Sequence, residues 1–260
     1  MLSPRARILA ACAAPVVALF AVAASAPLPY SVAYPGPTAD VLGSDAGRPV
    51  ITVSGVKTRT TSGRLRATTI TATGPDATVR LNTVLSAWFD GDRAVMPRDS
   101  VYPVGDTSRE IERHNLQEMA QSQDDATSAA LRYLRLSPKD VHVRLRLADV
   151  GGPSAGLLFA LGIVDKIAGD GRGGDLTGGR TIAGTGTVTA RGEVGEVGGV
   201  SLKTQAARRD GATVFLVPKG ECADAKDDLP KGLRLVPVST LSGAVDALRA
   251  LGSGGRVPHC

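Results

Sequence analysis

The chain has 260 residues, enough for one sizeable domain or two small ones. Hydrophobic residues make up 43% and charged residues 21%, which excludes a largely disordered chain, and aromatics at 3% leave the core to Val, Leu, Ile and Ala. The formal charge of +5 is small, and the arginines outside the N-terminal segment come in isolated pairs such as Arg64 and Arg66, or Arg208 and Arg209, so no nucleic-acid surface is indicated.

Arg5 and Arg7 precede an uncharged stretch, Ile8–Ala26. It approaches the roughly 20 residues of a membrane-crossing helix and also has the length of a long signal peptide. Positive residues ahead of it would hold the N-terminus in the cytoplasm and send the rest outside. Ala24-Ser25-Ala26 resembles a signal-peptidase site, but Pro27 directly after it makes a poor cut, and Val22-x-Ala24 offers another. Residues 1–26 are therefore expected to be a retained single-pass anchor, with a cleaved signal and a secreted chain as the alternative. Leu9-Ala10-Ala11-Cys12 has too little apolar sequence before it for a lipidation box. Of the two remaining cysteines, Cys222 and Cys260, an exported domain would make a disulfide; the alternative is two unpaired thiols.

Residues 27–48 are rich in Pro, Gly and Ala and read as an extended leash. Val50–Val56 and Leu65–Thr73 read as strands, and a short helix follows with Val84, Leu85 and a core Trp88. Thr107 and Glu110 form a capping box for a long helix to about Leu136. Val141, Val143, Leu145 and Leu147 alternate with His142, Arg144 and Arg146, a strand with one wet face. Ser154 then opens a helix with Leu157, Leu158, Leu161, Val164 and Ile167 on its core side. Thr181–Thr189 reads as a strand, Leu202–Asp210 as a helix stopped by Gly211, Val214–Val217 and Leu233–Val236 as strands, and Leu241–Leu251 as a closing helix.

Ser154 lies in Gly152-Pro153-Ser154-Ala155-Gly156, between a strand and a helix. The helix N-terminus offers N–H groups to an oxyanion, and the small neighbours admit a substrate carbonyl. A serine at a helix start is also an ordinary N-cap. The pentapeptide fits G-x-S-x-G, but a Ser-Asp-His hydrolase needs a later histidine, and only His259 follows; no His-Gly-Gly loop precedes it, and the strand before it is half wet. A lysine is then the natural general base, if burial brings its pKa from ~10.4 towards neutrality. Composition alone does not choose among Lys166, Lys203 and Lys219.

Five motifs occur in order: Gly152-Pro153-Ser154-Ala155-Gly156, Thr185-Gly186, Arg191-Gly192, Gly198-Gly199-Val200-Ser201-Leu202-Lys203 and Ala206-Ala207-x-x-x-Gly211-Ala212. Together they resemble the Lon protease catalytic domain over about residues 141–252. The resemblance implies that Ser154 is the nucleophile, that Lys203 is the catalytic lysine, and that Thr185 helps to hold the lysine, with Gly152, Pro153 and Ala155 as supporting residues beside the serine. The acidic residue that many Lon enzymes carry three positions before the serine is Gly151 here, with Asp149 two positions further back. No GxxxxGK[ST] occurs, so activity is expected to need no nucleotide.

The remainder resembles a narrower group: bacterial membrane-anchored proteins with a Lon-type peptidase and a PDZ domain outside the membrane. Tyr34-Pro35-Gly36-Pro37, Val101-Tyr102-Pro103, Met119-Ala120-x-Ser122-Gln123, Asp149-Val150-Gly151-Gly152 and Ile182-Ala183-Gly184-Thr185-Gly186 carry this likeness. Only Leu136–Asp140 stand where the PDZ domain would lie, so that domain is expected to be missing, and with it the obvious peptide-docking edge.

The fold expected is α/β (α+β): an anchor or signal over 1–26, a linker over 27–48, a strand and helix platform over 49–140, and a Lon-type peptidase domain over 141–260. The function expected is ATP-independent serine endopeptidase activity on unfolded or flexible polypeptide outside the cytoplasmic membrane. The alternative is a catalytically idle Lon-like binding or assembly module at the membrane surface. No cofactor or metal is expected, because His114, His142 and His259 lack ligand spacing and Asp224, Asp227 and Asp228 lack the alternation of a calcium loop. The resemblance also implies self-association into rings.

Overall fold

The computed structural model describes residues 3–102, 107–147 and 152–260. Helix α1 (Pro4–Ser25) is followed by the long strand β1 (Tyr30–Asp40), the short strands β2 (Ser44–Asp45) and β3 (Arg48–Pro49), then β4 (Ile51–Ser54) and β5 (Arg64–Ala72). Next come α2 (Leu81–Trp88), β6 (Ala94–Pro97), the single turn α3 (Arg98–Val101), the long α4 (Ser108–Leu134) and β7 (His142–Leu145). A 3-10 turn, Pro153–Ala155, leads into α5 (Gly156–Ile167). The rest is β8 (Thr181–Gly184), β9 (Thr187–Val188), β10 (Val194–Gly195), α6 (Val200–Arg209), β11 (Val214–Pro218), α7 (Cys222–Lys226), β12 (Arg234–Val238) and α8 (Leu241–Gly252).

The chain forms two compact units, one of residues 1–34 and 72–108, the other of 35–71 and 109–260. In the larger unit β12, β11, β8 and β5 run side by side in that order, and each neighbouring pair is parallel. Helix α5 lies in its core: Leu157, Leu158, Phe159, Leu161, Ile163 and Val164 are each fully buried. A helix apolar on every side has to be covered on every side. Each of these larger side chains contributes about 1.5–3 kcal/mol on burial. Met119, Ala126, Ala129 and Ala130 of α4 close over the same core, as do Leu241, Val245 and Leu248 of α8.

The larger unit reaches back across the boundary expected at residue 141. β4 pairs antiparallel with β7 (Ile51 opposite Leu145, Ser54 opposite His142), and β5 is bonded to β8 (Leu65 opposite Ile182). Residues 35–71 thus supply strands to this unit, and α4 supplies part of its core.

The leash expected over 27–48 is mostly strand. β1 buries Val32 and Ala33 completely. In the smaller unit, Tyr30–Ala33 pair antiparallel with Pro97–Ala94 of β6. The prolines that suggested a linker, Pro35 and Pro37, come after that pairing has ended, where a missing N–H removes no bond to β6. The carbonyls of Pro35 and Gly36 accept instead from the Arg209 guanidinium, at 3.3 and 2.7 Å.

Trp88, expected in the core, is 76% exposed; Val84 and Ala87 of α2 are buried instead, against Val32 and Val79. An eight-residue helix has one narrow inner face, and Trp88 falls outside it. In α1 the longest run of residues described with their side chains is 11–25, all of them exposed. No helix among the described residues is long and apolar enough to cross a membrane.

Candidate active site

Ser154 does not begin α5; it stands in the middle of the 3-10 turn before it, half-buried. Gly152 enters the turn at φ 84°, a left-handed conformation that a side chain disfavours. Pro153 takes the first position, where a missing N–H costs nothing. Ala155 is buried at 1% exposure. Gly151 and Asp149, the positions that depart from the Lon pattern, lie outside the described residues, as does Pro103.

Two neighbours tie this turn down. The Ser122 hydroxyl of α4 donates to the Pro153 carbonyl at 3.0 Å. The break between β8 and β9, where the sequence suggested one continuous strand, supplies the second tie. Gly186 N–H donates to the Ser154 carbonyl at 2.9 Å, and Leu157 N–H donates to the Gly186 carbonyl at 3.1 Å. Thr185 N–H donates to the Leu216 carbonyl of β11 at 3.1 Å, and its hydroxyl donates to the Ser154 carbonyl at 3.3 Å. Ladder groups that would have extended β8 are diverted to the serine turn.

Lys203 reaches the same place from α6. That helix starts on Gly199, at φ 69°, where a Cβ would also lie 2.9 Å from Ile70 Cγ2. Four residues on, in the next turn, Lys203 points inward and is 3% exposed. A lysine is almost never so buried without a partner. The partner is Thr185 Oγ1, which accepts from Nζ at 3.2 Å. Burial draws the lysine down to about 8, against the opposing pull of the Glu221 carboxylate. Among the described residues Ser154 Oγ makes no hydrogen bond; serine turn and lysine are linked through Thr185.

Of the residues selected from sequence, Ser154, Lys203, Thr185, Gly152, Pro153 and Ala155 therefore fall in one neighbourhood. Lys166 lies elsewhere, with Nζ donating to the Leu42 carbonyl at 3.3 Å, and Lys219 is exposed. Cys222 and Cys260 are joined by a disulfide that ties the last residue to the start of α7. No cluster of three or more His, Cys, Asp or Glu among the described residues could hold a metal ion. Two further residues were given no role from the sequence. Ser122 reads as one hydroxyl in a long helix, and Glu221, 7% exposed, follows a strand in a polar run.

A buried lysine with lowered proton affinity beside a constrained serine turn has the ingredients of nucleophilic catalysis by serine. The fold agrees with that class. The Lon protease (S16) C-terminal proteolytic domain matches residues 105–248, and the chain belongs to this family. It is 31% identical over 121 residues to a Lon protease of Azospirillum brasilense, covering 45% of this chain and 14% of that protein. It is 36% identical over 104 residues to Lon protease 1 of Myxococcus xanthus, 38% and 12% of the two chains. It is 28% identical over 139 residues to an archaeal Lon protease of Halobacterium salinarum, 50% and 19%. The chain thus spans less than a fifth of each of these relatives.

Proposed function

We propose that the protein is a serine endopeptidase in which Ser154 is the nucleophile and Lys203 its general base. The burial of Lys203, with its ammonium on Thr185, supports this reading most directly. In its neutral form Lys203 takes the Ser154 hydroxyl proton as Oγ attacks the scissile carbonyl, then returns it to the leaving amine; water hydrolyses the acyl-enzyme by the same relay. Gly156 N–H is spent on the Pro153 carbonyl and Leu157 N–H on Gly186, so in this reading the oxyanion is met by main-chain N–H at the start of the serine turn.

The substrate in this reading is unfolded or flexible polypeptide, and cleavage is expected without added nucleotide. This reading takes the PDZ domain of similar anchored proteins to be missing, since only a short connection joins α4 to β7. The uncharged stretch Ile8–Ala26 behind Arg5 and Arg7 supports anchoring, with the peptidase unit outside the cytoplasmic membrane. The idle-module reading draws on one observation, the missing Ser154–Lys203 hydrogen bond; such bonds often tighten only with substrate bound. The test is digestion of unfolded casein without ATP by the wild-type chain, Ser154→Ala and Lys203→Ala. Cleavage by wild type alone, with both variants folded by circular dichroism, is expected. Equal cleavage by all three, or none by wild type, would reject the proposal.

A further inference from the structure

Glu221 sits in the short turn after β11, immediately before the disulfide-bonded Cys222. Its side chain is turned inward, and the residue is 7% exposed. Oε1 accepts from Val197 N–H at 3.0 Å, in the loop that ends at Gly199 and launches α6. Oε2 is buried and finds no hydrogen-bond partner among the described residues. An acidic side chain is seldom buried without a cation nearby, and here that cation is Lys203. Two other carboxylates face Glu221: Glu196, whose carboxylate lies against Gly220, and Asp224 of α7. Neither is a significant influence on Lys203, for which Glu221 is the one charged neighbour among the described residues.

We propose that Glu221 is a positioning residue for Lys203: its carboxylate fixes the loop at Val197 that leads into α6, and its charge sets how firmly the buried ammonium keeps its proton. The two effects act on one group. Holding Val197 sets the start of the helix that aims Lys203 at Thr185. The negative charge favours the protonated lysine and so opposes burial, which favours the neutral base. Burial raises the Glu221 carboxyl, Glu196 and Asp224 push it the same way, and Val197 N–H and Lys203 hold it down.

This inference rests on the peptidase reading for its purpose but not for its test. The full chain is labelled with 15N-lysine, and the Lys203 Nζ resonance, assigned by its loss in Lys203→Met, is titrated. The wild-type midpoint is expected near 8. Glu221→Gln keeps a carbonyl acceptor for Val197 N–H and removes the charge, so the midpoint should fall by about one pH unit. That raises the neutral fraction at pH 7 about fivefold, and the rising limb of casein cleavage should shift to lower pH by the same amount. Glu196→Gln and Asp224→Asn should leave the midpoint where it is. Glu221→Ala should lower kcat with little change in KM, and Glu221→Gln should restore it. If Glu221→Gln does not fold, the reciprocal measurement serves: the Glu221 carboxyl midpoint, read by 13C NMR, should rise in Lys203→Met. A Lys203 midpoint unmoved or raised in Glu221→Gln, or a Glu221 midpoint unmoved in Lys203→Met, would overturn the assignment. Failure of wild type to cleave casein with the midpoints moving as described would reject the peptidase reading alone.

Discussion

Lys203 is an ammonium that folding strips of water, and this has a consequence for stability as well as for chemistry. Its folded value is about 8, below the ~10.4 of an unfolded lysine. Between those two values the unfolded chain binds more protons than the folded one, so stability must rise with pH across that window. The full effect is roughly 3 kcal/mol at about 1.4 kcal/mol per pH unit. Chemical denaturation of the wild type and Lys203→Met from pH 7 to 10 should show the wild type gaining on the variant as pH rises; a constant difference would contradict the burial of this charge. Thr185 links lysine and serine turn, so Thr185→Val, nearly the same in shape, should cost about 1–3 kcal/mol by leaving Nζ unpaired. Its peptidase activity should fall at least about tenfold, in proportion to a similar loss in the transition state. Ser122→Ala should cost only about 1 kcal/mol, the value of one hydrogen bond, and lower activity through the Pro153 carbonyl it releases. The serine, the lysine and the threonine were legible because their motifs have fixed spacing. Glu221 and Ser122 were not, since each acts through contacts 24 and 31 residues away in sequence, to Val197 and Pro153.

Among the elements, α6 depends on its entry. Gly199→Ala places a side chain at φ 69° and within 2.9 Å of Ile70 Cγ2, so it should destabilise by at least about 1 kcal/mol and disturb the lysine more than Gly198→Ala, which meets nothing within 4 Å. Urea titration and casein cleavage of both variants would show this. The Cys222–Cys260 bridge closes a separation of 38 residues and holds the turn that carries Glu221. Cys260→Ser should therefore cost about 2–4 kcal/mol in urea unfolding, and reductant should do the same to wild type but nothing further to the variant. Apolar patterning in the sequence identified α4, α5, α6, α8, β11 and β12, of which α5 and β11 are buried almost throughout and the others along part of their surface. It failed at β1, where two prolines masked a strand whose partners lie far away in sequence, and at Thr185–Gly186, where a strand pattern conceals the break that builds the site. Trp88 was misplaced because residue type predicts burial only on average.

At the scale of the whole molecule, membership of the Lon proteolytic family accounts for residues 105–248, while the unit that carries the site also recruits residues 35–71. The family likeness was legible from ordered motifs, and β4 and β5 were legible as strands over Val50–Val56 and Leu65–Thr73, but their pairing with β7 and β8 was not, because such pairing leaves no local pattern in the sequence. The smaller unit keeps its own core of Val32, Val79, Val84 and Ala87. What joins these levels is the claim that a buried lysine serves a serine nucleophile. The most direct measurement is the pH dependence of kcat/KM for casein cleavage by the wild-type chain, beside Ser154→Ala. One rising limb with a midpoint near 8, absent with all activity in Ser154→Ala, is the predicted result. A limb near the histidine or carboxylate range, or cleavage that survives the loss of Ser154, would contradict it.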